Sequence, residues 1–288
     1  MSDLATPLIA WFSQSARDLP WRRPEFSAWG ILVSEVMLQQ TPANRVIPHL
    51  DAWLDRWPTP EALAAATPAQ VLQQWDNLGY PRRALWLRQA AIEIRDRFAG
   101  EVPWNLDDLL ALTGVGEYTA RAVAVFAHHQ RHPVVDTNTR RVLARALHGR
   151  SQPGAPSRRD LADMDAQLPS DNESAFLVNA AAMELGATIC VARLPRCDQC
   201  PIQAQCRWYL LGRPDTGDAR PRQARYQGSD REARGAVLRA LRRASETALP
   251  TDQVIPTWSD RAQRRRAIAS LIADGLIVET EHALHLPR

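Results

Sequence analysis

The feature that most constrains the fold of this chain is the placement of its cysteines. The 288 residues include four cysteines, all within 17 residues, as Cys190-x6-Cys197-x2-Cys200-x5-Cys206. Thiolates this close in sequence indicate one local centre, because a disulfide framework spreads its cysteines along the chain. Zinc sites more often pair two C-x-x-C motifs across a longer loop, whereas iron–sulfur clusters take four cysteines at irregular spacings. The spacing therefore favours an iron–sulfur centre in a compact loop.

The first 211 residues carry a helical pattern. Apolar residues recur there at three- and four-residue spacing in successive segments with short breaks, and no period-2 runs compete with them. Examples of these segments are "TPLIAWFSQSA", "PAQVLQQWDNL", "RALWLRQAAIEIRDRFA", "TARAVAVFAHH" and "TRRVLARALHG". The pattern predicts an essentially all-α domain over residues 1–211.

The remainder of the chain has a different character. Residues 212–228 are polar and rich in Gly, Pro and Arg, which is linker composition. In residues 229–288 we expect a helix ("DREARGAVLRALRRA") and then a second helix with Ser259 as N-cap and its end at Gly275. The alternating segment "LIVETEHALHLP" predicts a closing β-hairpin. Together these elements predict a small winged-helix-like α/β module.

The charged residues suggest a partner and exclude one kind of chemistry. All 35 basic residues are arginine, so the side chain that ordinarily forms Schiff bases is absent. Residues 207–288 hold 15 arginines and 10 acidic residues, and this excess of positive charge favours contacts with phosphate groups. The alternative is that the module only packs on the larger domain and that its arginines pair with nearby acidic residues. The arginines in question are Arg213, Arg220, Arg222 and Arg225 in the linker and Arg261, Arg264, Arg265 and Arg266 in the second helix.

No targeting or membrane signal is visible in the sequence. No apolar run approaches membrane-spanning length, and the start "MSDLATPLIAWF" lacks the basic residues and long apolar stretch of a signal peptide. We therefore expect a cytoplasmic protein without a membrane partner.

One carboxylate stands in an unexpected place. In "SEVMLQQTP", residues 34–42, a helical Glu35 shares a face with Ile31, Leu32, Leu38 and Gln39. A carboxylate held against apolar side chains has its pKa raised, so that a useful fraction is protonated near neutral pH. An outward-facing surface glutamate is the alternative interpretation.

Two further motifs follow in the middle of the chain. In "LLALTGVGEYTARAVAVFA", Gly114, Val115 and Gly116 separate two helical patterns, so this turn either presents backbone N–H groups to phosphate or merely connects two helices. About twenty residues later, Asp136 in "PVVDTNTRRVLAR" follows an apolar run and precedes a helix, where an N-cap role is the simpler interpretation.

Taken together, these motifs resemble those of MutY-type adenine DNA glycosylases, which are endonuclease III-like members of the helix-hairpin-helix glycosylase superfamily. The resemblance covers residues 1–211 in family order. It implies a mainly α, helix-hairpin-helix glycosylase fold with a [4Fe–4S] loop at 190–206, acting as a monomer on double-stranded DNA that contains an adenine mispair. The matching stretches are "LPWR" (19–22), "SEVMLQQT" (34–41), "LGY" (78–80), "GVGEYTA" (114–120), "VDTN" (135–138), "MELGATIC" (183–190) and the cysteine loop.

The resemblance also implies a role for each matched residue. Glu35 corresponds to the general acid that protonates adenine, and Asp136 to the carboxylate that stabilises positive charge on the sugar. The remaining roles fall into four sets. These are Tyr118 and Asn138 beside the aspartate; Leu19, Trp21, Arg22 and Glu184 in the base pocket; Gln39, Gln40, Tyr80, Gly114, Val115 and Gly116 on DNA; and Cys190, Cys197, Cys200 and Cys206 on the cluster.

The sequence departs from the longer family members in two places. Residues 212–288 do not resemble their Nudix-like domain, which helps to recognise 8-oxoguanine, and Pro81 follows Tyr80 where the family often has a second tyrosine. The chain resembles instead the short actinobacterial forms. Since bifunctional relatives carry lysine at the position of Tyr118, we expect a monofunctional enzyme. A glycosylase for mispaired thymine or uracil and a non-catalytic DNA-binding iron–sulfur protein are the alternatives.

Overall fold

The structure, a computed structural model, describes residues 3–216, 225–244 and 247–288. Helices account for 57% of it and strands for 3%, and the mainly α fold predicted from the sequence is confirmed. None of the described helices combines the length and the apolar character needed to cross a membrane.

The helices and strands follow one another along the chain with short connections between them. The five helical segments quoted from the sequence coincide, to within a few residues at their ends, with the helices Ala5–Ser15, Pro68–Trp75, Arg82–Arg97, Glu117–Phe126 and Thr137–Ala146. In chain order, the elements are α1 (Ala5–Ser15), a 3-10 turn (Pro20–Arg22), α2 (Ala28–Leu38), α3 (Ala43–Arg56), α4 (Pro60–Ala64), α5 (Pro68–Trp75), α6 (Arg82–Arg97), α7 (Leu106–Leu110), α8 (Glu117–Phe126), α9 (Thr137–Ala146), α10 (Arg158–Asp165), α11 (Asn172–Thr188), two 3-10 turns (Cys197–Gln199 and Gln203–Gln205), α12 (Arg207–Leu210), α13 (Asp230–Ala244), β1 (Leu249–Pro250), α14 (Arg261–Ala273), β2 (Val278–Thr280) and β3 (Ala283–His285).

The chain divides into two compact units. The first unit comprises Met1–Ile31, Trp104–Leu110 and Val115–Pro221, and the second comprises Leu32–Pro103, Ala111–Gly114 and Arg222–Arg288. The predicted boundaries at 211 and 229 stay a prediction. In the structure, residues 222–288 share a unit with residues 32–103. Arg220 and Arg222 lie outside the described residues.

The first unit is organised around α11, which packs against α1 and α9. Its core joins Leu8 and Phe12 of α1 to Leu143 of α9 and to the small residues of α11. The close approach of α11 to α9 requires a glycine at position 186, because a Cβ there would lie 2.7 Å from the Cβ of Asn138 and 2.8 Å from its carbonyl oxygen. This contact fixes the backbone of the segment that follows Asp136.

In the second unit, α6 packs on α4 and α5, and α13 packs on α14. Leu72 of α5 is fully buried in one apolar core with Val237 and Leu241 of α13, Leu271 of α14 and Leu284 of β3. The C-terminal helices and strands therefore pack directly on α5 through shared apolar burial, which is the main favourable contribution to such an interface.

The C-terminal module, residues 225–288, has the predicted helices and hairpin, with two differences. Helix α14 is capped by Asp260, whose carboxylate accepts from the Gln263 N–H at 2.9 Å, so the prediction of Ser259 as N-cap was wrong by one residue. Gly275, at φ 68°, ends that helix as expected. The hairpin is joined in addition by β1, giving an antiparallel sheet of order β1-β3-β2.

Candidate active site and cysteine centre

Glu35 lies in the part of α2, residues 29–37, that is buried on all sides. Its residue exposure is 5%, and its helical neighbours Ile31 and Leu32 are buried as well. The position among apolar helical neighbours is as the sequence predicted, and the interpretation as a surface glutamate is wrong. A carboxylate in this environment loses hydration, which disfavours its charged form.

The segment that follows α2 is fixed by Arg83 of α6. This guanidinium is 5% exposed and donates to the carbonyl oxygens of Val36 (2.5 Å), Gln39 (2.8 Å) and Gly79 (3.2 Å). Burial lowers the pKa of Arg83 to about 10, so the side chain is charged at neutral pH. A single buried cation thereby joins the end of α2 to the turn before α6 and satisfies carbonyl groups left open at a helix end.

Three of the residues expected on DNA lie on the two segments that Arg83 joins. Gln39 is half-buried, Gln40 is exposed at φ 59°, and Tyr80 is 45% exposed at φ 45°. The ring of Tyr80 also lies 5.6 Å from the Arg83 guanidinium. Arg83 therefore links the backbone segments that carry these three residues.

The hairpin between α7 and α8 has the backbone that the glycine pattern indicated. Gly114 is left-handed at φ 80°, and a Cβ there would lie 2.7 Å from the Cβ of Trp86. Thr113 is tied to Glu93 of α6 by its N–H (2.8 Å) and its hydroxyl (2.6 Å).

The other two residues of the glycine motif belong to the start of α8. Val115 is buried, whereas Gly116 is the N-cap of α8 and contributes no side-chain acceptor to the first turn. A Cβ at Gly116 would meet nothing within 4 Å, so this helix end can be approached closely.

Asp136 is the N-cap of α9, as the simpler interpretation of the sequence held. Its Oδ1 accepts from the Thr139 N–H at 2.6 Å, and its Oδ2 accepts from the Asn138 amide at 2.8 Å. Both oxygens are therefore oriented by donors from the first turn of α9. Tyr118, also predicted beside the aspartate, is half-buried against the apolar cluster of Ala122, Val125 and Val134.

Arg141 connects Asn138 to the start of the cysteine loop. Its guanidinium, on a residue that is 7% exposed, donates to Asn138 Oδ1 (2.9 Å), to the Gly186 carbonyl (2.6 Å) and to the Cys190 carbonyl (2.7 Å). The orientation of the Asn138 amide, and with it the hydrogen bond to Asp136, thus depends on a residue that the sequence interpretation did not select.

One of the residues expected in the base pocket, Glu184, is a buried carboxylate, and it is paired with another of them, Arg22. Glu184 is 1% exposed and accepts from Arg22 at 2.8 Å and from Arg17 at 2.6 and 2.8 Å. Burial by itself raises the pKa of Glu184, but the hydrogen bonds from Arg17 and Arg22 outweigh it and hold the pKa below its usual value. Leu19 is buried, and Trp21 is half-buried in the same 3-10 segment.

The four cysteines line one cavity of the first unit, and none of them forms a disulfide. Among the described residues, no three His, Cys, Asp or Glu side chains are grouped as the ligands of a single metal ion would be. Four cysteine thiols that line one cavity are a donor set that fits an iron–sulfur cluster. Burial raises the pKa of the Cys200 thiol to about 12, and a bound cation favours the thiolate.

Arg145 supports one wall of the cysteine cavity. The residue is 2% exposed, its Nη1 lies 3.3 Å from Cys190 Sγ, and it also donates to the carbonyls of Val191 (2.9 Å) and Ala192 (3.2 Å). Its guanidinium lies 4.6 Å from the centre of the Trp208 ring. Sequence reasoning missed this residue, as it missed Arg17, Arg83 and Arg141, because their partners are distant backbone carbonyls or a carboxylate.

Comparison with known proteins places these features in a family. The family model described as "HhH-GPD superfamily base excision DNA repair protein" matches residues 33–162. An adenine DNA glycosylase of Mycolicibacterium smegmatis is 51% identical over 281 residues, which cover 97% of this chain and 94% of that protein. An alignment of this extent includes most of residues 229–288.

Solved structures show the same fold. A thermostable thymine-DNA glycosylase superposes with a TM-score of 0.66 at 25% identity, covering 72% of this chain and 95% of that one. A non-covalent endonuclease III–DNA complex superposes with a TM-score of 0.60 at 22% identity, covering 72% of this chain and 94% of the other. The predicted helix-hairpin-helix glycosylase fold is confirmed.

Proposed function

Because the chain belongs to the adenine DNA glycosylases of the HhH-GPD superfamily, we propose that it removes adenine from double-stranded DNA in which adenine is mispaired with 8-oxoguanine or guanine. The reaction is hydrolysis of the N-glycosidic bond of a nucleotide turned out of the duplex, since a stacked base cannot be reached. The protein acts as a monomer in base excision repair. The observation that carries the chemistry is the burial of Glu35 within α2.

Glu35 acts as the general acid. Loss of hydration on burial favours the neutral form of a carboxyl group, and in that form Glu35 can donate a proton to a ring nitrogen of adenine. Protonation converts the departing adenine from an anion into a neutral molecule and so lowers the barrier to cleavage of the bond. The proton passes from the carboxyl oxygen to the base, and water later completes the hydrolysis.

Asp136 stabilises the positive charge that develops on the sugar. Its two oxygens are oriented by Asn138 and Thr139, so the carboxylate needs little reorganisation as the bond breaks. A carboxylate in this position can also trap the sugar cation covalently until water attacks, as in retaining glycosidases. Tyr118 contributes to the surroundings of this group.

The extruded adenine is received by Leu19, Trp21, Arg22 and Glu184. Apolar and aromatic surfaces stack on a flipped base, and polar groups bind its hydrogen-bonding edge. The ion pairs of Glu184 with Arg17 and Arg22 keep this carboxylate charged and fixed in place. Glu184 therefore positions Arg17 and Arg22 and does not take part in proton transfer.

The duplex is bound by the two segments that Arg83 joins and by the hairpin between α7 and α8. Gln39, Gln40 and Tyr80 enter the duplex or contact the base opposite the adenine, and they maintain the distortion once the target has left the stack. The backbone N–H groups that follow Gly116 bind a phosphate, as helix N-termini do.

Cys190, Cys197, Cys200 and Cys206 would hold a [4Fe–4S] cluster. When bound, the cluster supplies a compact charged centre that orders the loop of residues 190–206, and the adenine chemistry requires no electron transfer from it. Arg145 and Arg141 fix the backbone around Cys190 on the side of the loop that faces α9.

With no lysine in the sequence, the enzyme releases adenine without efficient β-elimination. Borohydride reduction during turnover should trap little protein–DNA adduct, and strand breaks should appear mainly after alkali or heat. Efficient trapping would show that another amine, such as the N-terminus, takes part.

The experiment that tests the proposed function is single-turnover base release from duplexes with adenine opposite 8-oxoguanine, guanine, cytosine or thymine. A thymine–guanine duplex is included because a thymine-DNA glycosylase shares the fold. Release of adenine opposite 8-oxoguanine and guanine supports the proposal. Release of thymine alone would assign the other glycosylase activity, and DNA binding without release of any base would indicate a non-catalytic protein.

A further inference from the structure

The C-terminal module, residues 225–288, contacts both sides of a strained turn. This turn, residues 76–81, joins α5 to α6 and presents Tyr80. Three of its residues have left-handed backbones: Asp76 at φ 42°, Gly79 at φ 82° and Tyr80 at φ 45°. Such conformations are unfavourable for residues other than glycine, and they persist only where the surrounding structure holds them.

On the α5 side, Arg242 of α13 holds the end of the helix. Its Nε donates to the Leu72 carbonyl at 2.9 Å. That carbonyl is among the last four of α5, which have no partner inside the helix. Burial lowers the pKa of Arg242, and the negative charge of Asp76 opposes this effect. Asp76, the first residue of the turn, therefore interacts electrostatically with the Arg242 guanidinium.

On the α6 side, Asp274 at the end of α14 holds the first residue of the helix. Its carboxylate pairs with Arg82 at 3.3 Å and with Arg234 of α13 at 2.6 Å. Arg234 also donates to the Ser270 hydroxyl at 2.6 Å, so Asp274 is itself oriented by the module. Leu72, whose carbonyl accepts from Arg242, also buries its side chain in the apolar core of the module.

Several arginines of the module are engaged within it. Arg264 donates to the Thr251 carbonyl, and Arg266 pairs with Asp230 at 3.3 Å. Two of the four arginines at the start of α14 thus have partners inside the module.

We infer that Arg242 and Asp274 are positioning residues through which the C-terminal module fixes the 76–81 turn and sets the position of Tyr80 on the duplex. The module thereby contributes to selective binding of the mispair through the turn. This inference rests on the proposed function for the DNA role of Tyr80. The support of the turn itself can be measured without DNA.

The test compares Arg242→Met, Asp274→Asn and the control Arg243→Met in the full chain. Arg243 is the exposed neighbour of Arg242 on α13, so its variant makes the same chemical change at the surface. Hydrogen exchange is measured at the N–H groups of Asp76 and Leu78, which bond to the carbonyls of Gln73 (3.2 Å) and Trp75 (3.3 Å). Loss of the Arg242 hydrogen bond at the helix end should raise their exchange about tenfold or more over the control, and loss of the partly exposed Asp274–Arg82 pair should raise it by a smaller factor.

The DNA measurement uses the same variants and two duplexes, one with an adenine–8-oxoguanine mispair and one fully matched. The Kd ratio of the two duplexes should fall several-fold in Arg242→Met and Asp274→Asn, with the salt dependence of binding unchanged. Loss of a phosphate contact would instead weaken binding to both duplexes equally and reduce the salt slope by about one. Asp274→Asn retains the side-chain shape, so it provides the result if Arg242→Met does not fold.

Three outcomes overturn the inference: unchanged exchange in the turn, a reduced salt slope, or a lower unfolding temperature with an unchanged Kd ratio. Failure of the proposed function would be seen separately, as absence of adenine release by the unsubstituted protein.

Discussion

Gly186 of α11 packs against Asn138 of α9 so closely that no side-chain atom fits between the two helices. A Cβ at position 186 would lie 2.7 to 2.9 Å from the Cβ, carbonyl oxygen and carbonyl carbon of Asn138. Two of these atoms belong to the backbone and cannot move without displacing the first turn of α9. The geometry of the Asp136 carboxylate therefore depends on the absence of a side chain on another helix.

The first prediction is that Gly186→Ala destabilises the protein by about 1–3 kcal/mol, the usual cost of overpacking, and slows base release by displacing Asn138. Chemical denaturation and single-turnover kinetics measure the two effects. Gly235→Ala is the matched control, because its Cβ would meet only the hydroxyl of Tyr226, at 2.9 Å. That control should be neutral or more stable, since alanine favours a helix interior. Equal behaviour of the two variants would contradict this account of Gly186.

The second prediction concerns Arg83, which joins the end of α2 to the turn that carries Tyr80. Arg83→Met leaves the carbonyls of Val36, Gln39 and Gly79 without this donor, so stability should fall by about 3 kcal/mol. Binding to a mispaired duplex should also weaken. Arg95→Lys on the same helix, at an exposed ion pair with Asp96, should change neither quantity measurably. Unaltered mispair binding in Arg83→Met would separate this residue from the DNA-contacting segments.

The third prediction is a pH dependence that arises from Glu184. Its pKa is held below the ordinary value of 4.5 in the folded protein. The ion pairs with Arg17 and Arg22 therefore stabilise the fold fully above pH 4.5, and this contribution is lost as the pH falls through the lower, folded-state pKa. Denaturation curves between pH 7 and pH 3 should show this loss. Glu184→Gln should be less stable at pH 7 and lose less stability on acidification. An identical pH profile for the two proteins would refute the assignment.

The fourth prediction concerns the cysteine centre. Protein purified without oxygen should contain four iron atoms per chain, and Cys200→Ser should lose them together with thermal stability. The reason is that the four thiols line one cavity and have the irregular sequence spacing that iron–sulfur clusters use. Iron analysis and visible absorption measure the content. Stoichiometric zinc without iron would exclude the cluster.

The sequence predicted those parts of the fold that depend on local pattern. Helix α13 has the predicted bounds because its apolar residues recur at helical spacing, and Gly275 ends α14 because few other residues adopt φ 68° readily. The N-cap of α14 was misplaced by one residue because Ser259 and Asp260 are both good caps. Strand β1 was not predicted, since Leu249 and Pro250 pair with β3 only through the tertiary structure.

In the candidate site, too, the residues marked by a local sequence pattern could be predicted and those that depend on tertiary contacts could not. Glu35 could be selected because a carboxylate on an apolar helical face is unusual, and the four cysteines because of their spacing. Arg83, Arg141 and Arg145 could not be selected from the residues alone, because arginine ordinarily marks a solvated surface. These three side chains are buried because they donate hydrogen bonds to backbone carbonyls at helix ends and in loops far away in the sequence. No local sequence pattern indicates such partners.

The most direct test of the central proposal is the single-turnover rate of adenine release from an adenine–8-oxoguanine duplex by the unsubstituted protein and by Glu35→Gln. The glutamine keeps the shape of the side chain but cannot deliver a proton, so the rate should fall by about 10²-fold or more while duplex binding is retained. A Glu35→Gln variant that releases adenine at nearly the unsubstituted rate would contradict the assignment of Glu35 as the general acid.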